Sequence, residues 1–409
     1  MPLLTNLLIL IVVARLLGQA FHRFKQPAII GEMLAGVILG PSLFHLIEAN
    51  AALSGIADFA VFLIVLSAGL EMNFRDVIDS LRGKGLVIAI LGFVIPLTGG
   101  ILVGVAFELD VMRTVFLGLC VSITALPVTV SILQSFDLLD SDIARYSVAT
   151  AIFNDIVALM ALGIILNLPE QKSLQAVGFS ILNASWKLMV LCIFILGFNC
   201  VIEKIIEKGV HIERLSEMLV DLIGNEALFG ILLLFVLVFG SVSAALGFHV
   251  IIGAFFGALL IDRKFFLASR YHELDLTLRS ITGSFLAPVF FAYLGLEFDI
   301  SIIKSFWFVC VVLAVSIGSK IFAGWLGGRI LRLSQTRSLG IGIILNGRGV
   351  MELVIASIAH DRGFIGQDIF SVLVLMGVVT TMITPFMFRK WIMPKLEAKA
   401  AQVEARTIP

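Results

Sequence analysis

Charged side chains are scarce in this 409-residue chain: Asp, Glu, Lys and Arg together make up 14% of it. A soluble domain needs roughly 25% to cover its surface with groups that water solvates. Hydrophobic residues make up 59%, and the mean hydropathy is +1.08. The composition therefore excludes an ordinary soluble globular domain and indicates a chain that is solvated by lipid.

Several functional signatures are also missing. The sequence contains no HExxH, no GxSxG and no pair of catalytic aspartates on separate spans, which argues against an intramembrane enzyme. No signal-peptide cleavage site follows the first apolar run, so that run is interpreted as a retained span. The few cysteines all lie in apolar runs, where packing is a more common role than disulfide formation or metal binding: Cys120, Cys192, Cys200 and Cys310.

Apolar runs long enough to cross a membrane are abundant. A helix of about 20 residues crosses about 30 Å of hydrocarbon. Thirteen such runs, the tenth shorter than the others, predict an all-α polytopic membrane protein that forms one unit over residues 1–409. The predicted spans are approximately 3–21, 28–46, 51–70, 85–107, 112–134, 144–166, 177–201, 220–240, 242–261, 281–296, 305–328, 338–359 and 369–388.

The basic residues set the expected orientation of these spans, because Lys and Arg accumulate in cytoplasmic loops. With the N-terminus outside, 21 of the 29 Lys and Arg residues fall in cytoplasmic loops and a short cytoplasmic tail at 389–409. Four fall in outer loops and four within spans. The bias predicts an outer N-terminus and an inner C-terminus, and it would disappear if one mid-chain span were miscounted.

Two pairs of short sequences recur in the two halves of the chain. "AGLEMNF" at 68–74 matches "LGLEFDI" at 294–300, and "AIIGEMLAGVILG" at 28–40 matches "VIIGAFFGALLID" at 250–262. Each partner lies seven spans later, and an odd offset places the second copy in the opposite orientation. The pattern predicts an inverted-topology repeat of spans one to six and eight to thirteen, as in many secondary transporters. Chance similarity between apolar, glycine-rich helices is the alternative.

Span five and its repeat partner, span twelve, both carry helix-breaking residues. Pro127, in "SITALPV", lacks an N–H and its ring clashes with the carbonyl of Ile123. In "LNGRGVMEL", Gly347 and Gly349 flank Arg348 at the centre of the span. We predict two discontinuous helices, whose exposed ends carry partial positive charge at N-termini and partial negative charge at C-termini. A simple proline kink in span five is the alternative.

Few ionisable residues lie inside the spans, and each is costly to place at the bilayer centre. Asp155 lies nearest the middle of its span, in "YSVATAIFNDIVALMALGIIL", and Asn154 precedes it. Lys320 lies toward the cytoplasmic end of span eleven. Arg348 and Glu352, one helical turn apart, either neutralise each other or support the site. The others are expected to reach the membrane surface or to be structural: Arg15, Glu32, Glu71, Lys187, His249 and Glu297.

A carboxylate buried at mid-membrane can bind a proton or a small hard cation, but not both well. Further oxygen ligands for a cation are expected from the Asn154 side-chain carbonyl, from the hydroxyls of Ser122 and Thr124, and from carbonyls freed at the break. Lys320 is expected to pair with Asp155 when no cation is bound, so that the empty site holds no bare buried charge. Competition between proton and cation, combined with alternating access, gives antiport.

Taken in order, these segments resemble the monovalent cation:proton antiporters, in the branch that includes the NapA-like and Kef-like proteins. The similar segments extend over nearly the whole chain: "RFKQPAIIGEMLAGVILGPSLF" at 23–44, "SAGLEMNF" at 67–74, "SITALPVTVSIL" at 122–133, "ATAIFNDIVALMALGIIL" at 149–166, "GSKIFAGWLGGR" around Lys320 and "LNGRGVMELVIA" at 345–356. The resemblance implies the NhaA/NapA-like antiporter fold. It also implies that Asp155 carries the cation and the proton, with Lys320 as its charge partner.

The resemblance further implies a division of labour among the spans. Residues 85–166 and 305–388 are expected to form a mobile core for ion transport, and residues 1–70 and 177–296 a scaffold for dimerisation. The family usually forms homodimers and moves its core in an elevator-like manner. The expected location is the lipid bilayer of a bacterial or archaeal cytoplasmic membrane, with no cofactor and no nucleic-acid partner.

Two departures from the family pattern affect these expectations. Electrogenic members carry two adjacent aspartates where this chain has Asn154 and Asp155, so one H⁺ per cation and electroneutral exchange are predicted. Kef-like members usually carry a cytosolic nucleotide-binding domain after the last span, and none follows here. Gating by nucleotide or glutathione through the chain's own tail is therefore not expected.

The sequence does not show which monovalent cation is transported. Na⁺ is the first expectation, with K⁺ or Li⁺ as alternatives. The competing functions are a K⁺/H⁺ antiporter of Kef type without a regulatory domain and, from a different class, a cation channel with the same fold.

Overall fold

A computed structural model of the chain describes residues 3–24, 26–71, 85–136, 138–139, 141–166, 174–207, 225–261, 268–299, 306–396 and 398. Within these ranges the regular structure is helical, and no strand is present. The prediction of an all-α protein is confirmed for this part of the chain.

The described residues form sixteen α-helices and one π-helical turn. In chain order they are α1 Leu3–Arg23, α2 Ala28–Leu39, α3 Ala51–Glu71, α4 Gly85–Ala106, α5 Val111–Ser122, α6 Leu126–Ser135, α7 Asp142–Leu166, α8 Leu174–Glu207, α9 Asn225–Ala245, α10 Val250–Leu259, α11 Ala268–Ile281, the π turn Thr282–Leu286, α12 Ala287–Glu297, α13 Phe306–Ile330, α14 Gln335–Ile344, α15 Val350–Asp361 and α16 Gln367–Trp391.

Nine stretches of the described residues are long and apolar enough to cross a membrane. Three shorter apolar helices accompany them, at 28–39, 229–245 and 250–259. The number thirteen therefore stays a prediction. Two predicted spans are too long, because α2 ends at Leu39 and α10 covers only Val250–Leu259. The predicted tenth span begins too late, because α11 already starts at Ala268 and continues through the π turn into α12.

The predicted boundary between spans eight and nine, at Gly240 and Ser241, is wrong. Gly240 remains inside α9, and the chain leaves the helix at Gly247, whose φ of 88° only glycine adopts readily. The amide of Gly247 still bonds to the carbonyl of Ala244 over 2.9 Å, which closes the end of the helix. His249 then caps the start of α10 by accepting from the amide of Ile251 over 3.4 Å, a structural role as expected.

The chain divides into two compact units. The first comprises Met1–Ala57, Ile78–Ala158 and Pro288–Pro409, and it contains every residue predicted for the site. Inside it α4 packs on α5 and on α13, and α13 packs on α14. A buried apolar cluster lies beside both predicted interruptions: Ala125, Val128, Ile132, Ile341, Ile344, Leu345 and Phe388.

Close helix contacts of the first unit recur in the two halves of the chain. Between α4 and α5, a Cβ on Gly100 would lie 2.6 Å from the Cα of Gly118. Between α13 and α14, a Cβ on Gly324 would clash with the backbone of Gly342. Gly324 and Gly342 follow Gly100 and Gly118 by the same number of residues. Because only glycine lets two helix backbones approach so closely, the equivalent pairs agree with the predicted repeat.

The second unit comprises Asp58–Val77 and Leu159–Ala287. In its described part α9 packs on α10, where Gly253 lies against the backbone carbonyl of Phe239. The ring of Phe239 also contacts Phe194 and Phe198 of α8, with centroids 5.2 Å and 5.3 Å apart. Apolar and aromatic packing therefore holds this unit together.

Candidate functional site

The first interruption separates α5 from α6 at residues 123–125. Ile123 and Ala125 have extended backbone, with φ/ψ of −74°/146° and −79°/124°. Pro127 is the second residue of α6, a position at which no helical hydrogen bond needs its missing N–H. The predicted break is confirmed, and the alternative of a simple kink is wrong.

The second interruption separates α14 from α15 at residues 345–349. The Asn346 amide turns back and donates to the carbonyls of Gly342 and Ile343 over 3.1 Å and 3.3 Å, which caps α14. A Cβ on Gly347 or Gly349 would lie 3.2 Å or 3.1 Å from methyl carbons of Val128 on α6. The small size of both residues therefore lets the second interruption approach the first.

The two interruptions bind each other directly. The amide of Ala125 donates to the carbonyl of Gly347 over 2.9 Å. The hydroxyl of Thr124 donates to the carbonyl of Leu345, also over 2.9 Å. The half-helix ends of both repeats are thereby held at one place inside the first unit.

The last four carbonyls of α5 lack a donor four residues later, and each takes a side-chain donor. That of Cys120 also accepts from the amide of Ile123 over 3.4 Å. The hydroxyl of Ser122 donates to the carbonyl of Leu119 over 2.6 Å. Arg348 donates to the next two carbonyls over 2.5 Å and 2.8 Å, and Lys320 donates to the last over 2.5 Å. Two cationic side chains thus lie at the helix end that carries partial negative charge.

Arg348 is buried and connects several elements. Its guanidinium lies 3.4 Å from the carboxylate of Glu352, and both side chains are fully buried. It also donates to the hydroxyl of Ser316 on α13 over 2.7 Å. The hydroxyl of Thr381 on α16 accepts from the Arg348 amide over 3.2 Å and donates to its carbonyl over 2.9 Å. The pair therefore compensates its own charge, and Arg348 fixes the end of α5.

Lys320 is held by oxygen atoms that are not carboxylates. Besides the Ser122 carbonyl, its ammonium donates to the hydroxyl of Thr124 over 2.7 Å and to the carbonyl of Gly92 over 3.1 Å. These three bonds use all the donors of an ammonium group. Among the described residues, no ion pair within 4.0 Å joins Lys320 to Asp155. The expected direct contact is thus not formed, although the two groups interact electrostatically.

Asn154 and Asp155 each present a buried oxygen without a hydrogen-bond partner among the described residues. The Asn154 amide donates to the carbonyl of Ser122 over 3.2 Å and to the hydroxyl of Thr124 over 3.3 Å, which ties α7 to the first interruption. The side-chain oxygen of Asn154 and Oδ1 of Asp155 are buried and accept no hydrogen bond within the described part of the chain. Asp155 is only 2% exposed. Buried polar atoms are rarely left unpaired, so this pair of oxygens requires a reason.

The two hydroxyls that were expected as cation ligands are engaged elsewhere. The hydroxyl of Ser122 donates to its own helix, and the carbonyl of this residue faces Lys320 and Asn154 instead. The hydroxyl of Thr124 accepts two hydrogen bonds and donates a third. Of the four expected ligands, only Asn154 and Asp155 have a buried side-chain oxygen without any hydrogen-bond partner among the described residues.

Three residues of the site have no counterpart among the sequence predictions. Gly92 supplies a carbonyl to Lys320, Ser316 supplies a hydroxyl to Arg348, and Thr381 binds the Arg348 backbone. A signal for Gly92 is present in the sequence, because Pro96 cannot donate to the carbonyl four residues before it. Ser316 lies one turn before Lys320 on the same helix face, whereas nothing in the sequence distinguishes Thr381.

Glu32 does not reach the membrane surface as expected. It is 3% exposed and lies 3.9 Å from Arg15 of the preceding helix. Packing against Gly18 is tight, since a Cβ there would lie 3.1 Å from Cγ of Glu32. The α1–α2 contact therefore encloses this carboxylate.

Comparison with known proteins gives a consistent assignment. The family described as "Sodium/hydrogen exchanger, transmembrane" matches residues 8–393. The Na⁺/H⁺-K⁺ antiporter GerN of Bacillus cereus is 26% identical over 377 residues, which cover 92% of this chain and 92% of GerN. The Na⁺/H⁺ antiporter of Enterococcus hirae is 24% identical over 390 residues, which cover 94% of this chain and 97% of that protein.

A solved structure supports the fold independently. The sodium proton antiporter MjNhaP1 from Methanocaldococcus jannaschii superposes with a TM-score of 0.67 at 18% identity, covering 96% of each chain. This likeness confirms the expected antiporter fold. Because the family match extends over nearly the whole chain, the protein is an integral membrane protein that belongs to the sodium/hydrogen exchanger family.

Proposed function

We propose that the protein exchanges a monovalent cation for H⁺ across a membrane, and that Asp155 binds both. The observation that carries this proposal is the pair of buried, unpaired oxygens on Asn154 and Asp155. They lie on α7 beside the first interruption, where the Asn154 amide donates to Ser122 and Thr124.

The chemistry follows from the low polarity around the carboxylate. A bare carboxylate in an apolar interior is very unfavourable, whereas a proton or a small cation on it removes the charge. Each ion therefore excludes the other from Asp155. A carrier that must exchange one for the other before it reorients couples their movements and performs antiport.

We propose electroneutral exchange of one H⁺ per cation. Of the two residues at positions 154 and 155, only Asp155 carries a carboxylate, because residue 154 is Asn. Lys320 keeps three oxygen partners of its own, so when a cation binds Asp155 the Lys320 ammonium keeps all its protons. The charge on the site is then the same with either ion bound. Lys320 acts as a charge partner of Asp155 at longer range.

Alternating access is proposed to move the core spans together. The site residues all come from 85–166 and 305–388, and hydrogen bonds connect them to one another. Residues 1–70 and 177–296 serve as the scaffold of a homodimer in this proposal. The membrane is the cytoplasmic membrane of a bacterium or archaeon, with the N-terminus outside and the C-terminus inside.

Na⁺ is the proposed cation, with K⁺ as the alternative. GerN of Bacillus cereus is named for both ions, which favours testing them side by side. The oxygens of Asn154 and Asp155 suit any small hard cation and do not discriminate between the two.

Purified protein in liposomes with an imposed pH gradient tests the proposal. Addition of Na⁺, K⁺ or Li⁺ should dissipate the gradient in wild type and should have no effect in Asp155→Asn. The matched control is Asp142→Asn on the same helix, whose carboxylate is half-exposed and pairs with Arg337 at the protein surface. Retained cation-driven proton flux in Asp155→Asn would refute the role of Asp155.

A solid-supported membrane then tests the stoichiometry. Electroneutral exchange predicts almost no transport current from protein that still moves protons. A robust current would overturn the one-to-one exchange and leave the antiport itself intact.

A further inference from the structure

Pro96 lies in the middle of α4, and its position has a direct consequence for Lys320. A helical residue normally donates its N–H to the carbonyl four residues earlier, and proline has no N–H. The carbonyl that loses its donor is that of Gly92. It is this carbonyl that accepts from the Lys320 ammonium over 3.1 Å.

At Gly92, α4 also packs closely against α7 and the second interruption. A Cβ at this position would lie 3.0 Å from a methyl carbon of Thr150 on α7 and 3.4 Å from a methyl carbon of Leu345. Thr150 precedes Asn154 by one helical turn. The absence of a side chain thus brings the carbonyl of Gly92 close to α7 and to the second interruption.

The three acceptors of Lys320 differ in how they become available. The carbonyl of Ser122 is free because α5 ends there, and the hydroxyl of Thr124 lies in the interruption itself. The carbonyl of Gly92 belongs to a continuous helix, where Pro96 leaves it without its usual helical donor and so with its full accepting capacity for Lys320. Without it, two acceptors would remain for a group with three donors, and the third donor would seek the nearest anion.

We propose that Pro96 is a positioning residue: by leaving the Gly92 carbonyl without a helical donor, it holds Lys320 on three neutral oxygens and keeps the ammonium from competing with the transported cation for Asp155. The inference rests on the proposed role of Asp155. It concerns cation affinity rather than the ability to exchange, so the two claims fail in different experiments.

Replacement of Pro96 by Ala supplies the missing N–H. Residue 96 then bonds to the carbonyl of Gly92 and displaces the Lys320 ammonium. Because the freed ammonium pairs with Asp155, a cation must displace it, and a roughly tenfold rise in the apparent KM for the cation follows from the loss of one charged hydrogen bond. The maximal rate should change by less than about twofold, since the carboxylate and both interruptions remain.

The decisive comparison is made in two backgrounds. Cation affinity of purified protein is measured by calorimetry with NaCl, and with KCl in parallel, for wild type, Pro96→Ala, Lys320→Gln and the double variant. If Pro96 acts through Lys320, Pro96→Ala weakens binding in wild type and has no further effect beside Lys320→Gln. A purely structural role would weaken binding equally in both backgrounds and overturn the inference, as would unchanged affinity in Pro96→Ala.

Two further variants keep this test interpretable. Pro96→Ser restores the same N–H with a different side chain, so it should weaken cation binding as Pro96→Ala does. It replaces Pro96→Ala in the comparison if Pro96→Ala folds less well. Thr98→Ala is the matched control on α4, because its hydroxyl is exposed and bonds to the carbonyl of Val94 on the same helix. The Asp155→Asn liposome assay reports separately on the proposed function, so a normal affinity in Pro96→Ala with an inactive Asp155→Asn would refute the positioning role alone.

Discussion

Replacement of Arg348 by Met should strongly destabilise the protein. Met fills much of the same volume but removes every donor of the guanidinium. The carbonyls of Cys120 and Val121 at the end of α5 then have no side-chain donor, and the carboxylate of Glu352 loses its compensating charge. Because all of these groups are buried, water does not take the place of Arg348.

The magnitude follows from the two kinds of loss. Breaking a buried ion pair by removing one partner costs about 3–5 kcal/mol in the free energy of unfolding. The carbonyl of Val121, left unpaired, adds about 1–3 kcal/mol, whereas that of Cys120 keeps the Ile123 amide as a donor. The double variant Arg348→Met with Glu352→Gln also removes the uncompensated charge. It should therefore recover the free energy lost with the ion pair, but not the free energy lost with the unpaired carbonyl.

Thermal unfolding of the purified protein in detergent measures these effects. The control is Arg329→Met, because Arg329 also donates to a carbonyl near a helix end, that of Leu333 over 3.0 Å, but at an exposed position. Exposed substitutions of this kind change stability by about 0.5 kcal/mol or less. An Arg348→Met protein as stable as Arg329→Met would refute the account of how the end of α5 is held.

Four other substitutions have defined outcomes. Asn154→Asp adds a second titratable carboxylate and should give a transport current on a solid-supported membrane where wild type gives almost none. Thr124→Val removes three hydrogen bonds at the crossing and should lower the free energy of unfolding by about 1–3 kcal/mol, read from thermal unfolding. Gly118→Ala places a methyl group 2.9 Å from the carbonyl of Leu97 and should destabilise by about 1–3 kcal/mol in the same assay. Gly318→Ala, with open space around it, should not destabilise.

Local sequence rules were sufficient to predict the two interruptions. Pro127 fixes the first one, because a proline is tolerated in the opening turn of a helix and not in its interior. Gly347 and Gly349 indicate the second one. The identity of Asp155 as the candidate carrier needed only its depth in an apolar run, since a carboxylate there is too costly to be incidental.

The partners of the buried charges were not predictable in the same way. Lys320 was expected beside Asp155, because opposite charges in an apolar medium attract. In the structure, carbonyls of α5 and α4 bind the Lys320 ammonium instead, and a backbone carbonyl leaves no polar residue in the sequence to mark it. Backbone carbonyls at helix interruptions are the groups that a search limited to side chains overlooks.

The predicted helix boundaries away from the site are wrong for a related reason. Gly240 looked like the end of span eight, yet it serves as a packing surface, since a Cβ there would lie 2.9 Å from Val250. Gly247 ends the helix because its backbone adopts a positive φ. The sequence does not show which of two nearby glycines is needed for close packing and which for its backbone freedom.

The central claim is that one carboxylate binds either the proton or the cation. Calorimetric titration of the purified protein with NaCl, in two buffers of different ionisation enthalpy, counts the protons released for each cation bound. The account predicts about one proton per cation for wild type and neither cation binding nor proton release for Asp155→Asn. Cation binding to wild type without proton release, or unchanged proton release from Asp155→Asn, would contradict it.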